Sequence, residues 1–435
     1  MFKANIKNLL KSNDTCFPIL FMAAAIPFGT SIGNLSIIFG FIYSLYILYK
    51  NKYRKFSFGS FTFLFPVLFF SIILISALTS NNIKAGLKQV DKSILMVLIV
   101  ISIFVLTNFK NNILPKALKV FSISTVIATS ILIIFGFASV ILGISTNLLF
   151  FHDFSALYDQ HPVYFALYLS LSAFFITQHY FGQSKIPFNN KALLPLTSIM
   201  IIMCGIIMTA SKVVIFVFFI IYLFQLILII KNIRVKIIAL LLALFTVLIT
   251  INVPIIKSRF SDGMKFNLEK FEPTNDISQA RVLTRLDKEN LSDLELRYIF
   301  NKIGVYHTIN DEKILFGYGI GDVQDYLDYY YLIYGLAPNW YEGYNLHNQY
   351  LQIFASYGVF VLIFFLSYIV YSFYKAIRNK DYVFLFYLLI TTSVFIFESL
   401  LSRNKGIVFF IFFNTLFLIN LKENENSSSG NTRST

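Results

Sequence analysis

The stretch VVIFVFFIIYLFQLILII, residues 213–230, carries no charged side chain and a single amide, Gln225. As a helix rising about 1.5 Å per residue it reaches roughly 27 Å, near the thickness of a bilayer's hydrocarbon core. Its apolar residues are continuous and not alternating, so neither a half-buried strand nor a barrel strand fits. In lipid, a helix satisfies all of its backbone hydrogen bonds within one segment. The stretch therefore reads as a membrane-spanning helix.

Similar runs recur along the whole chain. Hydropathy places about twelve spans, near 17–29, 31–48, 61–79, 93–107, 120–143, 163–177, 192–209, 213–230, 235–254, 348–372, 382–401 and 406–421. Composition agrees: 57% of the 435 residues are hydrophobic and only 13% charged, with 50 Phe and 26 Tyr. Soluble domains carry about 25% charged residues, and no soluble fold hides a surplus of apolar surface this large. Disorder, coiled coil, collagen and a disulfide scaffold are excluded by the same numbers. The expected fold is all-α: a polytopic membrane protein of about twelve transmembrane helices with one large extracytoplasmic loop. The first run follows Lys3, Lys7 and Lys11 and imitates a secretion signal. The second run begins at once, so an uncleaved first helix is expected.

The net charge of +14 would suggest nucleic acid in a soluble protein. In a membrane protein the cytoplasmic loops collect Lys and Arg, and no nucleic-acid partner is expected. Alternate loops hold Lys50, Lys52, Arg54 and Lys55, then Lys110, Lys116 and Lys119, then Lys185 and Lys191, then Lys231, Arg234 and Lys236, and last Lys375, Arg378 and Lys380. This predicts that both termini are cytoplasmic. The opposite loops hold fewer cations, namely Lys84, Lys88 and Lys92, then Lys212, then Arg403 and Lys405. These break the rule, and Lys212, Arg403 and Lys405, together with Arg297 in the large loop, are candidates for binding an anionic group, phosphate best of all. Snorkelling of long basic side chains is the alternative for each one. Cys16 and Cys204 lie in or beside apolar runs without metal-type spacing, and no disulfide is expected.

Four regions follow. Residues 1–254 hold the first nine spans, 255–347 form the large loop, 348–421 hold the last three spans, and 422–435 form a tail expected to be disordered and cytoplasmic. The loop has 10 Lys/Arg against 14 Asp/Glu, and a loop of this length is usually functional. It is expected to contain helices over 277–303 and 321–335, the second with aromatics dipping into the membrane interface.

The strongest local signal is YNLHNQYLQIFASYG, residues 344–358, where the loop returns to the membrane. His347 then has a wet side and an apolar side, a suitable setting for a general base, with Asn348 beside it. A capping or interfacial role is the bland alternative. Upstream, ILFGYGIGDV at 314–323 alternates Gly317, Gly319 and Gly321. No βαβ unit surrounds it, so a nucleotide fingerprint is rejected in favour of a tight turn with amides facing a ligand. Arg297 lies on the helix leading to those glycines. Glu398 falls inside the eleventh span and needs a partner there; Arg403 is five positions on. His152, Asp153, Asp159 and His161 cluster before the sixth span, but their spacing matches no metal motif. Asp322, Asp325 and Asp328 share a helix face and read as solvated. His179 and His307 read as structural or exposed.

Taken in order, HPVYFALYL at 161–169, TASK at 209–212, ELR at 295–297, FGYGIGD at 316–322, HNQYLQIFASYG at 347–358 and ESLLSRNKGIVFFIFFN at 398–414 resemble the O-antigen ligase and polymerase superfamily of bacterial membrane glycosyltransferases. The architecture resembles it over nearly the whole chain, although each motif is short. The resemblance implies a C-type glycosyltransferase-like fold in the bacterial inner membrane, with a periplasmic active site. It implies a donor glycan on undecaprenyl pyrophosphate, and an acceptor that is lipid A core or a growing glycan. His347 would be the general base. Lys212, Arg297 and Arg403 would bind the donor pyrophosphate, supported by Asn348, Glu398, Gly319 and Gly321. The family's arginine after a serine falls at Lys212, a departure that keeps the charge but loses the bidentate fork. No metal or cofactor is expected. A ligase is the first reading and a polymerase joining lipid-linked repeats the second. A transporter or flippase is the third, and charges deep in several spans would mark it.

Overall fold

The computed structural model describes residues 16–50, 60–107, 113–182, 193–230 and 271–431, with isolated positions between 233 and 266. All regular structure among these residues is helical. The first half supplies α1 (Phe17–Ala25), α2 (Thr30–Lys50), α3 (Phe61–Thr79), α4 (Ile83–Thr107), α5 (Ile113–Ile141), α6 (Pro162–Ile176), α7 (Leu193–Met208) and α8 (Lys212–Ile229). The loop contributes α9 (Arg285–Asn290), α10 (Asp293–Asn310) and α11 (Val323–Ile333). The last part contributes α12 (Gln349–Arg378), α13 (Tyr382–Val394) and α14 (Asn404–Asn431). Seven of these helices are long and apolar enough to cross a membrane. The expected ninth span, 235–254, lies largely outside the described residues.

Two helices form the centre of the bundle. Every residue of α6 except Val163 is buried, as is 78% of α14 from Asn404 to Leu421. A helix that is apolar all round belongs inside a bundle. Aromatic rings fill the contacts around them, as where Phe65 stacks on Tyr368 at 3.9 Å and Phe384 on Phe417 at 4.6 Å. The outer helices α2, α3 and α5 leave Ile42, Ile75 and Ile134 exposed, as a lipid-facing surface requires. α14 continues to Asn431, past the expected end at Leu421. Lys422 and Glu423 permit helix, and no Pro or Gly stops it at that point.

The expected single loop helix over 277–303 is broken. Thr284 and Ser292 each build a capping box, with Asp287 and Glu295 respectively, so the chain starts a new helix twice. The loop also has a core of its own. Phe271, Leu283, Ile299, Phe300, Tyr331, Tyr334 and Leu346 are buried together. Tyr331 and Tyr334 therefore pack inside the loop and do not dip into an interface, whereas Tyr329 stays exposed.

A break in α12 fastens this loop. Gly358 has φ +80°, and a Cβ there would sit 2.1 Å from the Leu315 carbonyl oxygen. Only glycine lets the segment 314–319 pass so close. The carbonyls freed by the break accept from the amides of Tyr318 (2.8 Å) and Gly319 (3.0 Å), and the Val359 amide donates to Ile314 (2.8 Å). Residues 349–357 thus belong to the loop layer. The remaining stretch to Arg378 is about 20 residues, enough to span a bilayer. The same segment is also tied to the last turn of α3 and the turn that follows it. Ser76 and Ser80 accept from the amides of Ile320 (3.0 Å) and Gly321 (3.1 Å). The Asp322 carboxylate accepts from the amides of Asn81 (2.9 Å) and Asn82 (2.7 Å).

Candidate active site

The connections expected on one side of the membrane meet at one face of the bundle. Asp159 reaches Lys405, Asp322 reaches Asn82, Lys212 reaches Asp293, and Arg297 reaches Phe397. Helices α2, α4, α6, α8, α10, α12 and α14 all begin at this face. Helix N-termini carry partial positive charge and unsatisfied N–H groups, which favours anions there.

Local sequence sets His347 in place. The Asn345 side chain accepts from the His347 amide at 2.9 Å, bending the chain into a tight turn. His347 itself adopts φ +47°, an uncommon backbone for a residue with a side chain. Asn348 then caps α12 by accepting from the amides of Tyr350 and Leu351. Gln349 locks the turn across the bundle. Its amide donates to Phe395 at 2.7 Å, and its side-chain oxygen accepts from the Leu401 amide at 2.6 Å.

His347 meets Glu398 here. With Glu398 ionised, Nδ1–H of His347 donates to its Oε2 at 3.2 Å. The other ring nitrogen, Nε2, has no hydrogen-bond partner among the described residues. Glu398 does not lie in a membrane-spanning helix as expected. α13 ends at Val394, and Glu398 sits in the following turn, 5% exposed. Burial pushes its carboxyl up. The His347 bond and the nearby His347, His161 and Arg297 outweigh burial and hold the carboxyl below its ordinary range. In a turn, Glu398 is not one of the deep span charges that would mark a transporter.

Arg297 projects from the second turn of α10. Its Nε donates to the Phe397 carbonyl at 3.2 Å and its Nη1 to the Asp293 carbonyl at 3.2 Å. Asp293, at the start of the same helix, forms an ion pair with Lys212 at the start of α8. Lys212, Asp293 and Arg297 are thus linked by contacts, and Arg297 reaches the carbonyl of Phe397, the residue before Glu398 of the His347 pair.

Residues 197–366 match the O-antigen ligase family. That segment carries Lys212, Arg297 and His347, and it includes the broken helix and the loop it fastens. It supports the superfamily that the motifs resemble, one of glycosyltransferase-like enzymes in O-antigen processing. With the apolar helices, it makes the chain a membrane protein. Glu398, Arg403 and His161 lie outside the matched segment. No curated protein sequence matches the chain.

The remaining sequence candidates fall in different places. Arg403 is exposed in the turn before α14, and no contact joins it to Lys212 or Arg297 among the described residues. Gly319 and Gly321 do not offer their amides to a ligand, because Ser356 and Ser80 already accept from them. Asp322 is buried on backbone amides and does not belong to a solvated face. His161 caps α6, its Nδ1 accepting from the Val163 amide at 3.4 Å, and stands 4.7 Å ring to ring from His152. Burial pushes its pKa down to about 4 against the pull of Glu398, so it is neutral at pH 7. Among the described residues, no three His, Cys, Asp or Glu side chains converge to hold a metal. His307 is buried at 3% exposure, stacked on Tyr330 and bonded to the Tyr334 hydroxyl at 2.9 Å. The cysteines are both free thiols.

Sequence reading missed Asp293. An acidic residue in the first turn of a helix looks like an ordinary dipole partner, and 81 residues separate it from Lys212.

Proposed function

We propose that this protein is an O-antigen ligase-type glycosyltransferase of the bacterial inner membrane, working at the periplasmic face. It moves a glycan from undecaprenyl pyrophosphate to lipid A core. The observation that carries the reading is the His347–Glu398 pair set beside Arg297 and Lys212 at a convergence of helix N-termini.

Glycosyl transfer from a pyrophosphate has two needs. A base must take the acceptor hydroxyl's proton, and positive charge must hold the leaving group as its negative charge grows. His347 Nε2 takes the proton. Glu398, on Nδ1, fixes the ring and stabilises the imidazolium that forms. The acceptor oxygen attacks the anomeric carbon as the bond to the pyrophosphate oxygen breaks, and the in-line geometry inverts that carbon. Lys212 and Arg297 hold the departing pyrophosphate, Arg297 as a planar fork and Lys212 as a point charge. These side chains supply the charge that a metal would otherwise supply, so the transfer is metal-independent. Binding of the donor requires Asp293 to yield Lys212 to phosphate. An apolar groove between helices receives the polyprenyl chain.

The lipopolysaccharide profile of a strain lacking the gene tests this on a gel that resolves single repeats. Bare core is the expected result. Core capped by one repeat means chain growth stopped while transfer survived, and the enzyme is a polymerase of the same superfamily. An unchanged profile contradicts both.

A further inference from the structure

The cations at this face divide into paired and unpaired ones. Lys212 is paired with Asp293, and Lys405 with Asp159 at 3.6 Å. Lys84, Lys88, Lys92 and Arg403 form no ion pair among the described residues. The three lysines stand four positions apart and are all exposed, so they form one stripe over the first turns of α4. Like charges at that spacing repel one another and disfavour the helix. The stripe is thus kept against a local cost, on the side of the membrane where basic residues are least expected.

The stripe leads to Arg403. Gln89, on the same turns of α4, donates to the Leu401 carbonyl at 3.4 Å, two residues before Arg403. α4 packs along α14, which begins just after Arg403. The charges of Arg403 and Lys88 both act on Lys92, with Asp91 as the opposing carboxylate. Arg403 also acts on His161, which in turn senses Glu398 and His347. Arg403 and the lysine stripe thus adjoin one another, close to the turn that carries Glu398.

We propose that Arg403, Lys92 and Lys88 form a second anion site, which binds the phosphate groups on the acceptor glycolipid's headgroup. This assigns Arg403 to the acceptor in place of the donor. The proposal rests on the glycosyltransferase reading and deepens it. Lys212 and Arg297 hold the donor's pyrophosphate through a set of contacts that Arg403 and the lysines do not share, which leaves these cations for the acceptor. A neutral sugar acceptor has no use for three unpaired cations beside the site, whereas a phosphorylated headgroup does. Lysines suit such a headgroup because a point charge on a flexible stem meets phosphates in several orientations. Bulk anionic phospholipid offers the same chemistry and is the competing source.

The test uses the full-length chain in vesicles of neutral phosphatidylcholine, with undecaprenyl-pyrophosphate-linked glycan as donor. The acceptor is purified core–lipid A, either native or enzymatically dephosphorylated. The double variant Lys88→Gln/Lys92→Gln should raise the acceptor KM roughly tenfold with native acceptor and leave the donor KM unchanged. Lys92→Arg should keep the wild-type acceptor KM. With dephosphorylated acceptor, wild type and double variant should coincide. Added salt should raise the wild-type acceptor KM in the same way. A rise in donor KM, or an unchanged acceptor KM, overturns the acceptor site alone. So does a defect seen only in vesicles containing phosphatidylglycerol and equal for both acceptors, which assigns the stripe to bulk lipid. Absence of transfer by the wild-type chain overturns the glycosyltransferase reading itself.

Discussion

The loop domain is fastened to the membrane bundle at two places of opposite character. At the glycine clamp, residues 314–322 lie backbone to backbone against the break in α12 and the turn after α3. Amides there meet carbonyls, serine hydroxyls and the Asp322 carboxylate, and the fit is close enough that glycine is required. At the His347 cluster, contact is made by polar and charged side chains from four chain segments, with one ring nitrogen left available. The amides of residues 317–321 in the clamp are all taken by protein acceptors, which suits it to holding. The cluster retains spare capacity aimed at a common face, as a site that exchanges protons and phosphates must. A residue's place in one or the other decides what its loss does.

The two regions are separable by mutation. Gly358→Ala has the largest expected effect, because the added methyl meets the Leu315 carbonyl oxygen at 2.1 Å in a backbone that disfavours side chains. Folded protein should fall to near background on size-exclusion chromatography in detergent. A normal monodisperse yield would dissolve the clamp. Arg297→Ala acts at the cluster. It should weaken donor binding roughly 10- to 100-fold, the value of a charge-assisted contact to phosphate, while thermal stability barely changes. An unchanged donor affinity would remove Arg297 from its role.

Asp322→Asn returns to the clamp. Losing charge-assisted acceptance from two backbone amides at a buried carboxylate should cost about 1–3 kcal/mol of stability, read as a lower melting temperature with donor KM unchanged. A selective donor defect would instead move Asp322 into the site. The smallest effect is pH-dependent. Burial pushes His307 down to about 4, against the pull of Asp311, from an ordinary value near 6.5. The unfolded chain therefore binds the extra proton first. The contribution of His307 is complete above about pH 6.5 and is lost as the pH falls toward 4. Hydrogen exchange in α10 should accelerate over that window, and His307→Phe should flatten the dependence. Identical slopes in both proteins would discount His307.

How much of this was legible in the sequence differs between the same two regions. The spans were readable because apolar length is a local property, and eleven of the twelve correspond to described helices. His347, Lys212 and Arg297 stood out as polar residues where the chain meets the membrane on the less basic side. Their partners did not, since His347–Glu398 is a pairing across 51 residues and Arg297–Phe397 across 100. The loop helix over 277–303 could have been split in advance. Thr284-x-x-Asp287 and Ser292-x-x-Glu295 are helix-start patterns, and the apolar count across them concealed both. The glycines were read correctly as a tight turn but given the wrong neighbour, because nothing in FGYGIGD says that Ser76 and Ser80 will take its amides.

The most direct test of the account compares purified wild type and His347→Ala in two measurements, glycan transfer in a single turnover and equilibrium binding of the lipid-linked donor. The account predicts a transfer rate at least about 100-fold lower, with donor affinity within about twofold of wild type. Transfer within tenfold of wild type, or loss of donor binding in parallel with transfer, would contradict the assignment of His347 as the base.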